Sequence, residues 1–175
     1  MRRVRYAVAA SLDGYIAGPK GEADWIIMDP DIDFRALFAQ FDTFLIGRRT
    51  FEVMTGGKKK AGGPGKKGMK TFVFSRTLRQ RDYPKVTIVA ENAAETVAGL
   101  RAEEGKDIWL FGGGLLFRSL LGAGLVDAVE VAVIPVLLGG GIPLLPPPAE
   151  PAKLKLTGHK VYGKTGTVSL EYTVK

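Results

Sequence analysis

The sequence predicts an α/β fold: a mixed, mostly parallel sheet with helices on both faces and an antiparallel hairpin at its C-terminal edge. Three observations carry this expectation. Short apolar runs alternate with stretches of helical spacing, as strands joined by crossover helices do. Two of those runs stop at glycine and pass straight into a helix pattern, at Gly47 and at Gly112-Gly113-Gly114. The final segments, Lys153 to Tyr162 and Thr167 to Val174, alternate residue by residue on either side of Gly163-Lys164-Thr165-Gly166, which is the pattern of a hairpin.

Taken in order, Val4, Tyr6 and Val8 alternate with polar or small residues and form a first strand ending in Ala9-Ala10-Ser11, where small side chains leave room for a ligand. Asp13-Gly14 reads as a hairpin tip. The irregular stretch that follows, through Trp25, is long for a loop without a function. Asp29, Pro30, Asp31 and Asp33 precede Phe34, Leu37, Phe38 and Phe41, whose spacing is one helix face. At least two of these acids are expected to cap that helix, leaving a third free to protonate a substrate. Thr43 to Ile46 is a buried strand, and Gly47-Arg48-Arg49-Thr50-Phe51 opens a helix reaching about Met54. Thr71 to Phe74 is a third strand, stopped by Ser75-Arg76, and Val86 to Val89 a fourth. Ala93 to Glu104 is a helix with Val97 and Leu100 inward, followed by the apolar run Ile108 to Phe111, the triple glycine and another helix. Val126 to Val133 is a strand broken at Pro135. Residues 137 to 148 contain a second triplet, Gly139-Gly140-Gly141, with no helix start after it, and are read as a structural crossover.

With 175 residues, 46% of them hydrophobic and 25% charged, the chain is expected to form one domain over residues 1–175. No apolar run approaches the roughly 20 residues of a membrane span, and Met1-Arg2-Arg3-Val4-Arg5 enters a strand pattern instead of a signal core, so a cytoplasmic protein is expected. There is no cysteine and one histidine, His159. Disulfides, thiolate chemistry and histidine metal clusters are therefore not expected, and any redox chemistry needs an organic cofactor. The net charge is +7, but Lys58, Lys59, Lys60, Lys66, Lys67 and Lys70 lie together without an acidic residue between them, and the rest of the chain is close to neutral. That segment has no aromatic residue for base stacking, so a nucleic-acid partner is not expected.

The triple glycine is the centre of the functional reading. Three residues without Cβ let a ligand approach the backbone, and the free N–H groups at the start of the next helix favour phosphate. Two other motifs fail on context. Gly158 to Thr165 matches the letters of a triphosphate loop, but a strand pattern follows it where a helix is needed. The triple glycine lacks the third glycine of the dinucleotide fingerprint. Arg48, Arg49 and Arg76 each follow a strand immediately, and parallel topology gathers such positions near the triple glycine. Forked guanidinium donors beside a glycine seat suit a pyrophosphate plus one more phosphate, the charge pattern of NADPH.

Ser11-Leu12-Asp13-Gly14-Tyr15-Ile16-Ala17, Leu45-Ile46-Gly47-Arg48-Arg49-Thr50-Phe51, Phe74-Ser75-Arg76, Ile108 to Gly114 and Pro135 to Leu144 occur here in the order seen in dihydrofolate-reductase-like proteins. The chain most resembles the reductase domain of the bifunctional riboflavin-biosynthesis deaminase-reductase and its small free-standing relatives. The resemblance implies an eight-stranded mixed sheet flanked by helices, NADPH extended across the strand ends, and a homodimer. It implies that Gly47, Arg48, Arg49, Thr50, Ser75 and Arg76 hold the adenosine side with its phosphate, that Gly112, Gly113, Gly114, Leu115 and Leu116 hold the pyrophosphate, and that Ala10 and Ile16 border the nicotinamide. Asp33 is the nearest match to the acid of dihydrofolate reductases, and Asp13 matches the aspartate that faces the substrate in riboflavin-type reductases. The expected activity is hydride transfer from NADPH to a C=N or C=O of a small, pteridine- or pyrimidine-like substrate, with Asp13 or Asp33 supplying the proton and Trp25 walling the pocket. Either carboxyl would need a pKa raised by burial to do so near neutral pH. The alternative is a non-catalytic module of the same fold that binds a nucleotide or docks a partner.

Overall fold

A computed structural model describes residues 1–58, 62–63 and 68–175; Lys59, Lys60, Lys66 and Lys67 of the basic segment lie outside these. In chain order the elements are β1 Val4–Ser11, β2 Tyr15–Ala17, α1 Phe34–Ala39, β3 Phe41–Gly47, α2 Arg48–Thr55, β4 Lys70–Phe74, β5 Thr87–Val89, α3 Ala93–Ala102, β6 Asp107–Gly112, α4 Gly114–Gly122, β7 Ala128–Ile134, β8 Ile142–Pro143, β9 Leu154–Tyr162 and β10 Thr167–Val174. Eight strands form one sheet in the order β5-β4-β3-β6-β1-β7-β10-β9. Every pairing from β5 to β7 is parallel, and β10 and β9 close the sheet antiparallel.

Successive residues of a strand face opposite sides, so one apolar run feeds two cores. Leu45 and Leu110 turn toward α3 and α4, where they meet Val97, Leu100, Phe117 and Leu120. Ile46 and Trp109 turn the other way, against Phe51 of α2 and Leu37 and Phe38 of α1. At the amino-terminal edge of the sheet, charges clasp the strands together. Arg2, 5% exposed, pairs with Asp42 and bonds Thr43 Oγ1; Arg5 meets Glu130 at 2.5 and 2.8 Å; Arg101 reaches Asp127 at 2.7 Å. Among the described residues no helix is long and apolar enough to cross a membrane.

Three local expectations are corrected. Asp13-Gly14 is not a hairpin tip, because β2 pairs with β8 and not with β1, in the register Tyr15 with Pro143 and Ala17 with Ile142. The cause is the Ser11 hydroxyl, which accepts from Tyr15 N–H at 3.0 Å and donates to Asp13 at 2.6 Å, turning the chain out of the main sheet. The 137–148 crossover thus has a strand partner, and Gly141, at φ +146°, lies so close to the Ala17 carbonyl that a Cβ would strike it. Among the acids before α1, only Asp33 caps the helix. Asp29, 1% exposed, instead accepts from the Thr165 N–H and hydroxyl at 3.0 and 2.9 Å, and Asp31 pairs with Lys164, so this loop is fastened to the β9–β10 turn.

Tyr6 is fully buried and stacks on Phe117, with ring centroids 3.8 Å apart. Its hydroxyl has no partner among the described residues, and burial pushes its pKa above the usual phenol range. Tyr6→Phe keeps the stack and removes an unsatisfied polar atom, so it is expected to raise unfolding free energy by about 1 kcal/mol. Denaturant unfolding measures this; a loss of stability would show that the hydroxyl has a partner in solution.

Candidate functional site

Parallel pairing puts the carboxyl ends of β4, β3, β6 and β1 on one edge of the sheet. The register aligns Gly47 with Phe74 and Ile46 with Gly112, so the glycine junctions of β3 and β6 are neighbours. They touch: a Cβ on Gly47 would stand 3.3 Å from Gly113 N, and one on Gly113 would stand 3.2 Å from Thr50 Oγ1. Both α2 and α4 begin after a glycine, Gly47 and Gly113, with no side chain accepting their first N–H groups. Two helix starts with free donors and positive dipole ends therefore stand side by side.

A groove of about 390 Å³ opens beside this junction. Of the residues expected to bind the cofactor, Ile16, Arg49, Thr50, Gly112 and Gly113 line it, and Gly47 packs directly against Gly113. The other expected contacts are distributed differently. Ala10 is 2% exposed in the core, and its neighbour Ala9 lines the groove in its place. Gly114 is covered by Pro146 and the Pro143 carbonyl, Leu116 is a core residue, and Leu115 is 58% exposed, so α4 offers no side chain to the groove. Arg48 pairs with Glu52 along α2 at 3.0 Å. Ser75 Oγ accepts from the N–H groups of Thr77 and Leu78, shaping the turn that carries the exposed Arg76. Arg48, Ser75 and Arg76 thus sit at the same strand-end edge, outside the groove itself.

Sequence reasoning missed the opposite wall, made by Ile26, Met28, Val53 and Met54, and the aromatic face of Phe111. One signal was available for it. Val53 stands two positions from the buried Phe51, off the core-facing stripe of α2.

Neither aspartate and no tryptophan lines the groove. Asp33 is spent on the α1 cap, accepting from Ala36 N–H at 2.9 Å. Asp13 accepts from the Ser11 hydroxyl at 2.6 Å, from Leu138 N–H at 3.1 Å and from Gly139 N–H at 2.7 Å, which ties the end of β1 to the crossover. The Ser11 hydroxyl first, and the two backbone N–H groups after it, outweigh the opposing effect of burial and hold its carboxyl below the usual aspartate range. Both expected proton donors, Asp13 and Asp33, thus lie outside the groove, each bonded to neighbours of its own. Trp25 lines a separate cleft of about 300 Å³ with Ile134, Pro135 and Thr165, while its indole N–H donates to the Glu22 carbonyl at 3.1 Å.

The architecture is that of dihydrofolate-reductase-like proteins. Within that class, the RibD C-terminal domain family matches residues 2–168, and the chain belongs to that family. It is 35% identical to the uncharacterized protein YyaP of Bacillus subtilis (strain 168), over 98% of this chain and 94% of that one. Among solved structures it is similar to a protein from Shewanella sp. PV-4 assigned to riboflavin biosynthesis, with a TM-score of 0.80, 27% identity and coverage of 100% and 99% of the two chains. Dihydrofolate reductase from Enterococcus faecalis, solved with NADP(H), shares the fold at a TM-score of 0.72 and 18% identity, over 99% of this chain and 96% of that one.

Because the Asp13 pKa is lowered on folding, its contribution to stability is full above the ordinary aspartate value of about 3.9 and is lost as pH falls below it, through the depressed value. Asp13→Asn is expected to lower the thermal midpoint at neutral pH and to flatten its fall in acid. An unchanged acid limb in the variant would mean that the Asp13 carboxylate does not hold the crossover.

Proposed function

We propose that this chain is an NADPH-dependent reductase that transfers hydride to a C=N or C=O of a small, ring-containing substrate. The observation that carries the reading is the contact between the two glycine junctions, where free N–H donors of α2 and α4 meet beneath Arg49 and Thr50. A Cβ at Gly47 or Gly113 would crowd the packing between the junctions, whereas one at Gly112 would meet nothing within 4 Å, so at Gly112 the backbone is open to a group that must come close. The residues present fit a pyrophosphate. Gly47, Arg49, Thr50, Gly112 and Gly113 would hold it; Arg48, Ser75 and Arg76 would receive the adenosine side and its extra phosphate; Ala9 and Ile16 would border the nicotinamide. When bound, NADPH supplies the hydride. The chain's own part is to orient the reactants and to exclude competing geometries. Among the described residues lining the groove none is acidic, so the proton comes from water entering the groove. Two copies pair through β9, an edge strand whose Leu156 and Val161, on one face, are 50% and 64% exposed.

NADPH titration followed by fluorescence or calorimetry tests the reading. Saturable binding at sub-millimolar concentration is expected, weakened about tenfold by Arg49→Ala, the effect of losing one charge-assisted hydrogen bond. Gly113→Val should abolish binding while circular dichroism stays native. No saturable binding to the unaltered protein ends the proposal. For assembly, sedimentation is expected to give a dimer that Leu156→Lys with Val161→Lys converts to monomer.

A further inference from the structure

We infer that the substrate end of the groove takes an uncharged, apolar aromatic carbonyl or imine compound, not an anionic or cationic one. This rests on the reductase reading and narrows it.

The polar groups of the groove can be divided by place. Gly113, Thr50 and Arg49 belong to the helix-start junction and are engaged by phosphate in that reading. Apart from Lys20, the side chains in the rest of the lining are apolar, Ile16, Ile26, Met28, Val53, Met54 and Phe111 among them. Met28, Val53 and Met54 are 58%, 60% and 46% exposed, three large apolar side chains around one opening. Apolar surface gathered at a concave site is what an apolar ligand covers.

A phosphate or carboxylate on the substrate would lose its hydration against these side chains with no forked donor to replace it. Lys20 is the one further charged residue lining the groove among those described. It is exposed and so hydrated, and the Glu22 carboxylate, which accepts from the Lys20 backbone N–H at 2.7 Å, stands near enough to attract its ammonium and compete with an anionic ligand. A cationic or amidine-bearing ring fares no better, since it needs a facing carboxylate. Asp13 is occupied by the crossover and Asp33 by its helix. The ring is aromatic by complement: Phe111 is fixed in place by Phe44, with centroids 5.1 Å apart, and the thioethers of Met28 and Met54 are polarizable partners for a π face. In the reaction hydride forms the new C–H bond, the C=O or C=N π pair moves to the heteroatom, and water protonates it; NADPH is oxidised and the substrate reduced.

The test is calorimetric binding of two matched ketones, acetylnaphthalene and its carboxylated counterpart acetylnaphthoate, to the protein saturated with NADP. The neutral ketone is expected to bind at least about tenfold tighter. Met28→Lys, at an exposed position on the loop and not on α2, is expected to erase or invert that preference. If the carboxylated ketone binds equally or better, or the neutral one shows no saturable binding while NADP still does, the substrate assignment is overturned and the reductase reading survives. Failure of NADP to bind removes both.

Discussion

Gly47 and Gly113 approach so closely that a Cβ on Gly47 would stand 3.3 Å from Gly113 N, and that backbone contact fixes most of what the site can be. It requires β3 and β6 to be adjacent and parallel with their carboxyl ends level, which the register of Ile46 against Gly112 provides. It also requires both following helices to start without a capping side chain. Unsatisfied donors at a helix start cost stability unless water or a ligand meets them. The fold therefore holds open a place where a negatively charged ligand replaces what a serine or aspartate cap would give.

Charge is divided accordingly between the two edges of the sheet. At the amino-terminal edge every strongly placed guanidinium has a carboxylate: Arg2 with Asp42, Arg5 with Glu130, Arg101 with Asp127. Those pairs fix the strands and leave no net charge to attract a ligand. At the other edge Arg49 and Arg76 stand exposed near free helix N–H groups, and the carboxylates close by, Asp13 and Asp33, are turned to structural tasks. An anion is drawn to one side of the molecule only.

The sheet and its two cores were legible because periodicity is a local signal. Runs such as Thr43 to Ile46 and Ile108 to Phe111 announce buried strands, and Thr167 to Val174 an alternating one, without knowledge of their neighbours. The glycine junctions were legible for the same reason, and parallel topology carried Gly47, Thr50 and Gly113 to one place. What could not be read were contacts made at long range. Asp13 looks like a free acid until Leu138 and Gly139, far along the chain, donate to it. Asp29 looks like a cap until Thr165 claims it. Ala10 and Ala9 differ only in which way the strand turns them, and a resemblance at the level of motifs does not resolve one residue from the next. Trp25 was placed by its neighbourhood in sequence, whereas a loop tied to the β9–β10 turn carries it to another cleft.

The position of β1 bears on how the chain comes together during synthesis. It comes first among the strands of this sheet, yet both its partners, β6 and β7, lie more than a hundred residues downstream, with Val4 set against Ile108 and Arg5 against Ala128. Loop closure over such a span is slow, and apolar segments left waiting are prone to stick to one another. The centre of the sheet thus closes only once β6 and β7 are in place, and the apolar residues of β1 must wait for them.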